Sequence, residues 1–173
     1  MASPLTFILG GAASGKSHFA EQVVLSQGEH PLYIATAQAY DAEMQAKIDA
    51  HVASRGPRWT TVEAPLDLAE ALANAPTDRS ILIDCMTLWL TNLMIAGHDL
   101  EQSREALMSA LFARRGPVTL VSNEVGQGIV PDNALARRFR DAQGRLNIRL
   151  AAEADCVVQV VAGLPNLLKG QLS

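Results

Sequence analysis

Apolar residues along this chain fall into short continuous runs, separated by longer stretches in which they recur every three or four positions. The runs that read as strands or strand ends are Leu5–Leu9, Leu32–Ala35, Trp59–Val62, Ile81–Ile83, Val118–Val121 and Val157–Val161. Most are unbroken rather than alternating, which is the pattern of strands covered on both faces, so they predict a mostly parallel sheet. The stretches between them carry helical spacing. Phe19, Val23 and Val24 share one face after the first strand, and Tyr40, Met44 and Ile48 recur every four residues as an amphipathic helix would require. Leu66, Leu68, Ala69 and Leu72 mark another helix. The segments around Leu88–Met94 and Leu107–Phe112 give two more, parted by the turn-like Ala96-Gly97-His98-Asp99. Leu135, Phe139, Ala142, Leu146 and Leu150 form a long stripe, with Asp132 as the expected cap just after Pro131. Leu164–Lys169 reads as either a short docking helix or a tail.

Strand and helix alternate, with Gly56-Pro57 and Gly116-Pro117 as punctuation, and that order predicts a doubly wound α/β domain with helices on both faces of the sheet. No repeat, low-complexity tract or linker divides the 173 residues, so one domain over 1–173 is expected. A chain of that size buries about 70% of its unfolded surface, enough for a layered core. The 49% hydrophobic and 18% charged composition excludes wholesale disorder. Fourteen basic against 18 acidic residues give a net charge of -4, which supplies no global attraction to nucleic acid or anionic membrane. No stretch of 18 apolar residues offers a membrane span, and MASPLTFILGG lacks the basic leader of a signal peptide. The expectation is a soluble cytoplasmic protein. Cys85 and Cys156 sit in apolar runs as small buried hydrophobes, and His18, His30, His51 and His98 lack metal-ligand spacing.

Chemistry enters with Gly10-Gly11-Ala12-Ala13-Ser14-Gly15-Lys16-Ser17, which satisfies G-x-x-x-x-G-K-S between a strand and a helix. Glycines let backbone N–H groups converge on a phosphate, and the following helix presents its positive end. Lys16 has the reach for β and γ phosphates, and the Ser17 hydroxyl is suited to Mg²⁺. A second acidic group is expected at the end of another strand. Asp84 and Glu124 both qualify, and the strands alone do not divide metal binding from nucleotide contact between them. No Asn-Lys-x-Asp element marks a GTPase switch. The residues therefore point to a small-molecule kinase or nucleotidyl-transferring enzyme. A regulatory P-loop ATPase that modifies no small molecule is the alternative from another class.

Longer segments narrow this further. FILGGAASGKSHFAE at 7–21, LYIATAQAYDAEMQAKIDAH at 32–51, WTTVEAP at 59–65, LIDCMTLWLTNLM at 82–94 and SNEVGQGIVPDNALARRFRDAQGRLN at 122–147 follow one another in a familiar order. Together they resemble the bifunctional adenosylcobinamide kinase and adenosylcobinamide-phosphate guanylyltransferase family of adenosylcobalamin biosynthesis. The resemblance implies a P-loop nucleoside triphosphate hydrolase-like fold and two reactions. In the first, ATP or GTP phosphorylates the aminopropanol hydroxyl of adenosylcobinamide. In the second, GMP from GTP passes through a histidine to adenosylcobinamide phosphate, giving adenosylcobinamide-GDP and pyrophosphate.

The resemblance also implies a homotrimer and assigns residues. His51 becomes the nucleophile, at the end of the Met44–His51 helical segment, where spacing alone would read a surface or C-capping histidine. Ala35, Thr36 and Ala37, then Val52, Ala53, Ser54 and Arg55, join the nucleotide site, and Glu63 and Asp84 become guanine-nucleotide contacts. One departure stands out: the family's loop reads GGARSGKS, and this chain has Ala13 where that arginine stands. Arg137, Arg138, Arg140, Arg145 and Arg149 are candidate substitutes, and a kinase that has lost the transferase step is the rival reading.

Overall fold

The computed structural model describes residues 4–172. A seven-stranded sheet forms its centre, with β1 (Leu5–Gly10), β2 (Leu32–Ala35), β3 (Thr60–Glu63), β4 (Ile81–Asp84), β5 (Val118–Asn123), β6 (Cys156–Val161) and β7 (Leu164–Lys169) in the order β3-β2-β4-β5-β1-β6-β7. All neighbours are parallel except β6 and β7, which form an antiparallel hairpin. The first strand is therefore interior, as the mostly apolar run Leu5–Leu9 predicted.

Helices cover both faces of this sheet. They are α1 (Lys16–Ser26), α2 (Ala42–Arg55), α3 (Leu68–Asn74), α4 (Met86–Ala96), α5 (Leu100–Ala113) and α6 (Ala134–Glu153). Successive strand residues point to opposite faces. Phe7, Ile34, Ile81, Ile83 and Leu120 join a core with Leu68, Trp89, Leu93, Leu107 and Leu146 from α3 to α6. Ile8, Tyr33, Leu82, Val121 and Val158 join a second core with Ala20 and Val24 of α1. Burying each large aliphatic side chain contributes about 1.5–3 kcal/mol, so both layers hold the sheet in place. Both cysteines are free and buried, as their apolar setting predicted.

Several boundaries differ from the sequence reading. Leu164–Lys169 is neither helix nor tail but strand β7, every residue of which is exposed. Val161 pairs with Leu164 across Ala162 and Gly163, whose positive φ values of 51° and 77° are those of a tight hairpin turn. The cap of α6 is Asn133, not Asp132: the Asn133 side chain accepts from Ala136 N at 2.7 Å. The third strand starts and ends one residue later than Trp59–Val62. Helix α2 does not stop at His51 but runs on to Arg55, and its Met44 and Ile48 stripe is only half-buried, because no element packs squarely over it. Among the described residues, no helix is long and apolar enough to cross a membrane.

Candidate active site

Parallel strands send their carboxyl ends to one edge of the sheet, and the loops leaving β1 to β5 meet there. The glycine-rich loop is folded tightly on itself. Gly15 caps α1 with a left-handed φ of 88°, and a Cβ there would stand 3.1 Å from Gly163 Cα. A Cβ on Gly10 would lie 2.5 Å from Ser14 Oγ and 2.7 Å from the Val160 carbonyl oxygen. Gly163 N donates to Ser14 O at 2.7 Å, so the turn between β6 and β7 backs the loop from behind. Ala13 is exposed at a φ of 53°. Lys16 opens α1 with its side chain folded inward, 9% exposed, and its Nζ donates to Gly11 O at 3.1 Å across the loop.

Beside this loop, at Ser17, opens a cleft of about 220 Å³. Ala35, Ala37 and Asp84 line it at the ends of β2 and β4, Ser17 from the first turn of α1, His51, Val52 and Arg55 from α2, and Glu63 from the end of β3. Those are residues the sequence placed far apart in the chain, and the fold brings them together. Gly10 to Lys16 adjoin the cleft through Ser17. Ala53 and Ser54 do not line it, and Ser54 Oγ instead donates to His51 O at 2.9 Å. Thr36 is fully buried, with every polar atom engaged by protein. Its hydroxyl donates to Cys85 O at 2.7 Å and accepts from Cys85 N at 2.8 Å, its N–H donates to Asp84 O at 3.2 Å, and its carbonyl accepts from Asn92 Nδ2 at 2.8 Å. Thr36 thereby ties the end of β2 to the end of β4.

The two candidate carboxylates are placed differently. Asp84 shares the cleft with Ser17 and accepts a hydrogen bond from Tyr33 OH at 3.0 Å through Oδ2. Glu124 follows β5, where its N–H donates to Gly10 O at 3.0 Å and its Oε1 accepts from Gly126 N. It stands beside the glycine-rich loop and outside the cleft lining. Among the described residues, no group of three or more His, Cys, Asp or Glu is arranged to hold a metal. Ser17 and Asp84 together offer one hydroxyl and one carboxylate, a donor set that suits a Mg²⁺ completed by phosphate and water oxygens.

Charge in the cleft is shared among groups that sequence spacing did not connect. Arg55 lies with its guanidinium carbon 3.5 Å from the centre of the Tyr33 ring and donates to Thr61 Oγ1 at 3.4 Å. Trp59 meets the same ring edge-on at 5.8 Å. Burial raises the Glu21 carboxyl above its ordinary value; Arg55 opposes the rise, Asp84 adds to it, and His18 and His51 oppose it. Burial first, then the Asp84 charge and hydrogen bond, raises Tyr33 as well. Cys85, next to Asp84, is pushed up to about 11, chiefly by burial and then by the same carboxylate.

Glu21, Tyr33 and Thr61 belong to this cleft and were missed in the sequence. Glu21 had a signal, since it follows Ser17 by one helical turn and so shares its face. Tyr33 had none, because a tyrosine inside an apolar strand reads as core. The arginines Arg137, Arg140 and Arg145 line a different hollow of about 730 Å³ beside α6. Arg137 and Arg140 are bonded there to the carbonyls of Pro131, Asp132 and Gly126. Arg149 pairs with Glu105 and Glu153.

Comparison with known proteins gives a coherent result. The family model described as cobinamide kinase / cobinamide phosphate guanyltransferase matches residues 6–168. The chain is 47% identical over 167 residues to the bifunctional adenosylcobalamin biosynthesis protein CobP of Pseudomonas aeruginosa, covering 95% of this chain and 96% of that protein. It is 43% identical over 178 residues to the corresponding protein CobU of Salmonella typhimurium, covering 92% and 97%. The CobU protein of Escherichia coli is 41% identical over 176 residues, with coverage of 92% and 97%.

Proposed function

The chain belongs to the cobinamide kinase / cobinamide phosphate guanyltransferase family, and from that premise we propose which of its residues carry the two reactions. It acts on adenosylcobinamide as a kinase and on adenosylcobinamide phosphate as a guanylyltransferase. The observation that carries the assignment is the meeting of Ser17, His51 and Asp84 in one cleft at the mouth of the glycine-rich loop. The loop between β1 and α1, on a parallel sheet, supports reading the whole of 1–173 as one P-loop nucleoside triphosphate hydrolase-like domain. A homotrimer is the proposed assembly, on the resemblance alone.

For the kinase reaction, ATP or GTP lays its phosphates against the amides of residues 10–17 and the N-terminus of α1. The Lys16 ammonium, already directed across the loop, stabilises charge on the γ-phosphoryl group as it moves to the aminopropanol hydroxyl. Ser17 and Asp84 are the proposed holders of Mg²⁺, with Glu124 as the less suitably placed carboxylate. The ion, when bound, supplies neutralisation of the phosphate oxygens.

For guanylyl transfer, His51 attacks the α-phosphorus of GTP. A nitrogen–phosphorus bond forms while the bond from that phosphorus to the α,β-bridging oxygen breaks, and pyrophosphate leaves with the electron pair. A phosphate oxygen of adenosylcobinamide phosphate then attacks the same phosphorus and the imidazole departs, giving adenosylcobinamide-GDP. Glu63 and Asp84 accept hydrogen bonds from guanine N–H groups or a ribose hydroxyl, and Ala35, Ala37 and Val52 provide apolar walls.

Covalent labelling tests this directly. Incubated with GTP and Mg²⁺ but no corrinoid, the protein is expected to retain one GMP per site and release pyrophosphate. The bond should be labile in acid and stable in base, as a phosphoramidate is. His51→Ala should abolish the adduct and guanylyl transfer while sparing much of the kinase reaction. An adduct mapped to His18, His98 or a lysine, and persisting in His51→Ala, refutes the assignment. A folded, GTP-binding protein that forms no adduct leaves a kinase alone, and directs attention to Ala13.

A further inference from the structure

Helix α2 carries the proposed nucleophile, yet none of its residues is buried. Its side-chain bonds are mostly internal: Gln45 to Asp49, Lys47 to Glu43 and Ser54 to His51 O. Beyond its caps, and among the described residues, the hydrogen bonds and ring contacts that join α2 to the rest of the fold all come from Arg55. Arg55 lies four residues after His51, hence on the same face and about 6 Å further along the axis. Whatever holds Arg55 also sets the tilt of the turn that presents His51.

Tyr33 is what holds it. The ring is 7% exposed, fixed from the side by Trp59, and offers its face to the Arg55 guanidinium 3.5 Å away. The same side chain ends in a hydroxyl that donates to Asp84 Oδ2 at 3.0 Å. We propose that Tyr33 is a positioning residue for guanylyl transfer, its ring placing His51 through Arg55 and its hydroxyl placing Asp84. One rigid aromatic group thus registers the nucleophile against the carboxylate that contacts the nucleotide. A displacement of about 1 Å at such a distance from the chemistry can cost on the order of 100-fold in rate, so a brace of this kind matters to turnover. The inference rests on the reading of His51 as the nucleophile.

Ring and hydroxyl are separable by substitution. In the full-length protein, the rate of GMP adduct formation is measured across GTP concentrations for Tyr33→Phe and Tyr33→Leu. Phosphorylation of adenosylcobinamide at saturating ATP and the melting temperature are followed in parallel. Tyr33→Leu should lower the maximal adduct rate on the order of 10–100-fold below that of Tyr33→Phe, while the two variants phosphorylate adenosylcobinamide within about threefold of each other, since both lose the hydroxyl that places Asp84. Tyr33→Phe, which keeps the ring, should hold the maximal adduct rate within about threefold and raise the GTP concentration needed for half-saturation. Combining Tyr33→Leu with Arg55→Ala should slow adduct formation no more than the slower single change, because both break one contact.

Equal losses of both reactions in Tyr33→Leu, in step with melting temperature, would make Tyr33 an ordinary core residue and overturn the proposal. Multiplicative losses in the double variant would overturn it too. Should Tyr33→Leu fail to fold, Arg55→Ala on the unburied helix decides. A lower maximal rate at unchanged half-saturation supports the brace, and the reverse pattern makes Arg55 a nucleotide contact only. A wild-type protein without adduct refutes the histidine assignment and this inference together. A wild-type adduct whose formation is untouched by Tyr33→Leu refutes this inference alone.

Discussion

Thr36→Val removes a hydroxyl while nearly keeping the shape of the side chain, and the geometry predicts a large cost. That hydroxyl serves two backbone groups of Cys85 at once, donating to its carbonyl at 2.7 Å and accepting from its N–H at 2.8 Å. Thr36 is 0% and Cys85 8% exposed, so water cannot replace the lost partner. The Cys85 carbonyl keeps a second donor, Trp89 N–H at 3.2 Å, so only the Cys85 N–H is left unpaired. That unpaired donor costs about 1–3 kcal/mol and the carbonyl loses one bond worth about 0.5–1.5 kcal/mol, for an expected total of about 1.5–4.5 kcal/mol. For a domain of this size, where 1 kcal/mol moves the melting temperature by about 2–4 °C, the shift should fall at about 3–18 °C. Thr36→Ser is the control. It keeps both hydrogen bonds and loses one methyl, a change worth about 1 kcal/mol. Urea unfolding of wild type and the two variants, with GTP binding measured on each, separates a structural tie from a nucleotide contact. If Thr36→Val unfolds within about 0.5 kcal/mol of Thr36→Ser, the hydroxyl does not bind the ends of β2 and β4 and the reasoning fails.

Two further outcomes are expected. Lys16→Ala should lower the turnover of adenosylcobinamide phosphorylation by on the order of 100-fold or more, and chelation of Mg²⁺ should reproduce the loss, both read by phosphate transfer from labelled ATP; unchanged turnover in the variant contradicts the role of the loop. Cys85 is neutral in the fold up to about 11, against an ordinary value of 9.0, so the unfolded chain gives up its proton first. Stability should be fully present below pH 9 and fall as the pH rises from there towards 11, with Tyr33, also raised, steepening the fall above its ordinary 10.0. Urea midpoints for Cys85→Ala should fall less steeply between pH 9 and 10, the slope that remains belonging to Cys156, whose thiol burial also raises, and a variant that keeps the full slope would refute the assignment.

The parallel strands were legible because a strand buried on both faces is dominated by apolar residues: Leu32–Ala35 and Ile81–Ile83 are unbroken, and the runs of β1, β5 and β6 are interrupted only by Thr6, Thr119 and Gln159. Strand β7 escaped because its residues are exposed on both faces and Pro165 interrupts the run, as is tolerated only at a sheet edge. The Ala162-Gly163 turn was its one local sign. Asn133 and Asp132 are chemically equivalent caps one residue apart, so composition did not choose between them. In the site, the glycine-rich loop is written contiguously and was read directly. His51 was legible only through resemblance, since its helix shows a stripe that the fold leaves half open. The contacts among Tyr33, Arg55 and Asp84 depend on β2, α2 and β4 converging in space, and no local pattern encodes that convergence.

The hydrogen bond from Gly163 N to Ser14 O joins positions separated by about 150 residues of chain. Synthesis proceeds from the N-terminus, so a nascent chain carries the whole Gly10–Ser17 motif long before the turn that backs it has been made. Through most of its translation the motif is a flexible glycine-rich stretch with no wall behind it. Nucleotide in the surrounding medium can therefore stabilise the finished protein by mass action but offers little help to the growing one. The proposed phosphate site is written first and completed last.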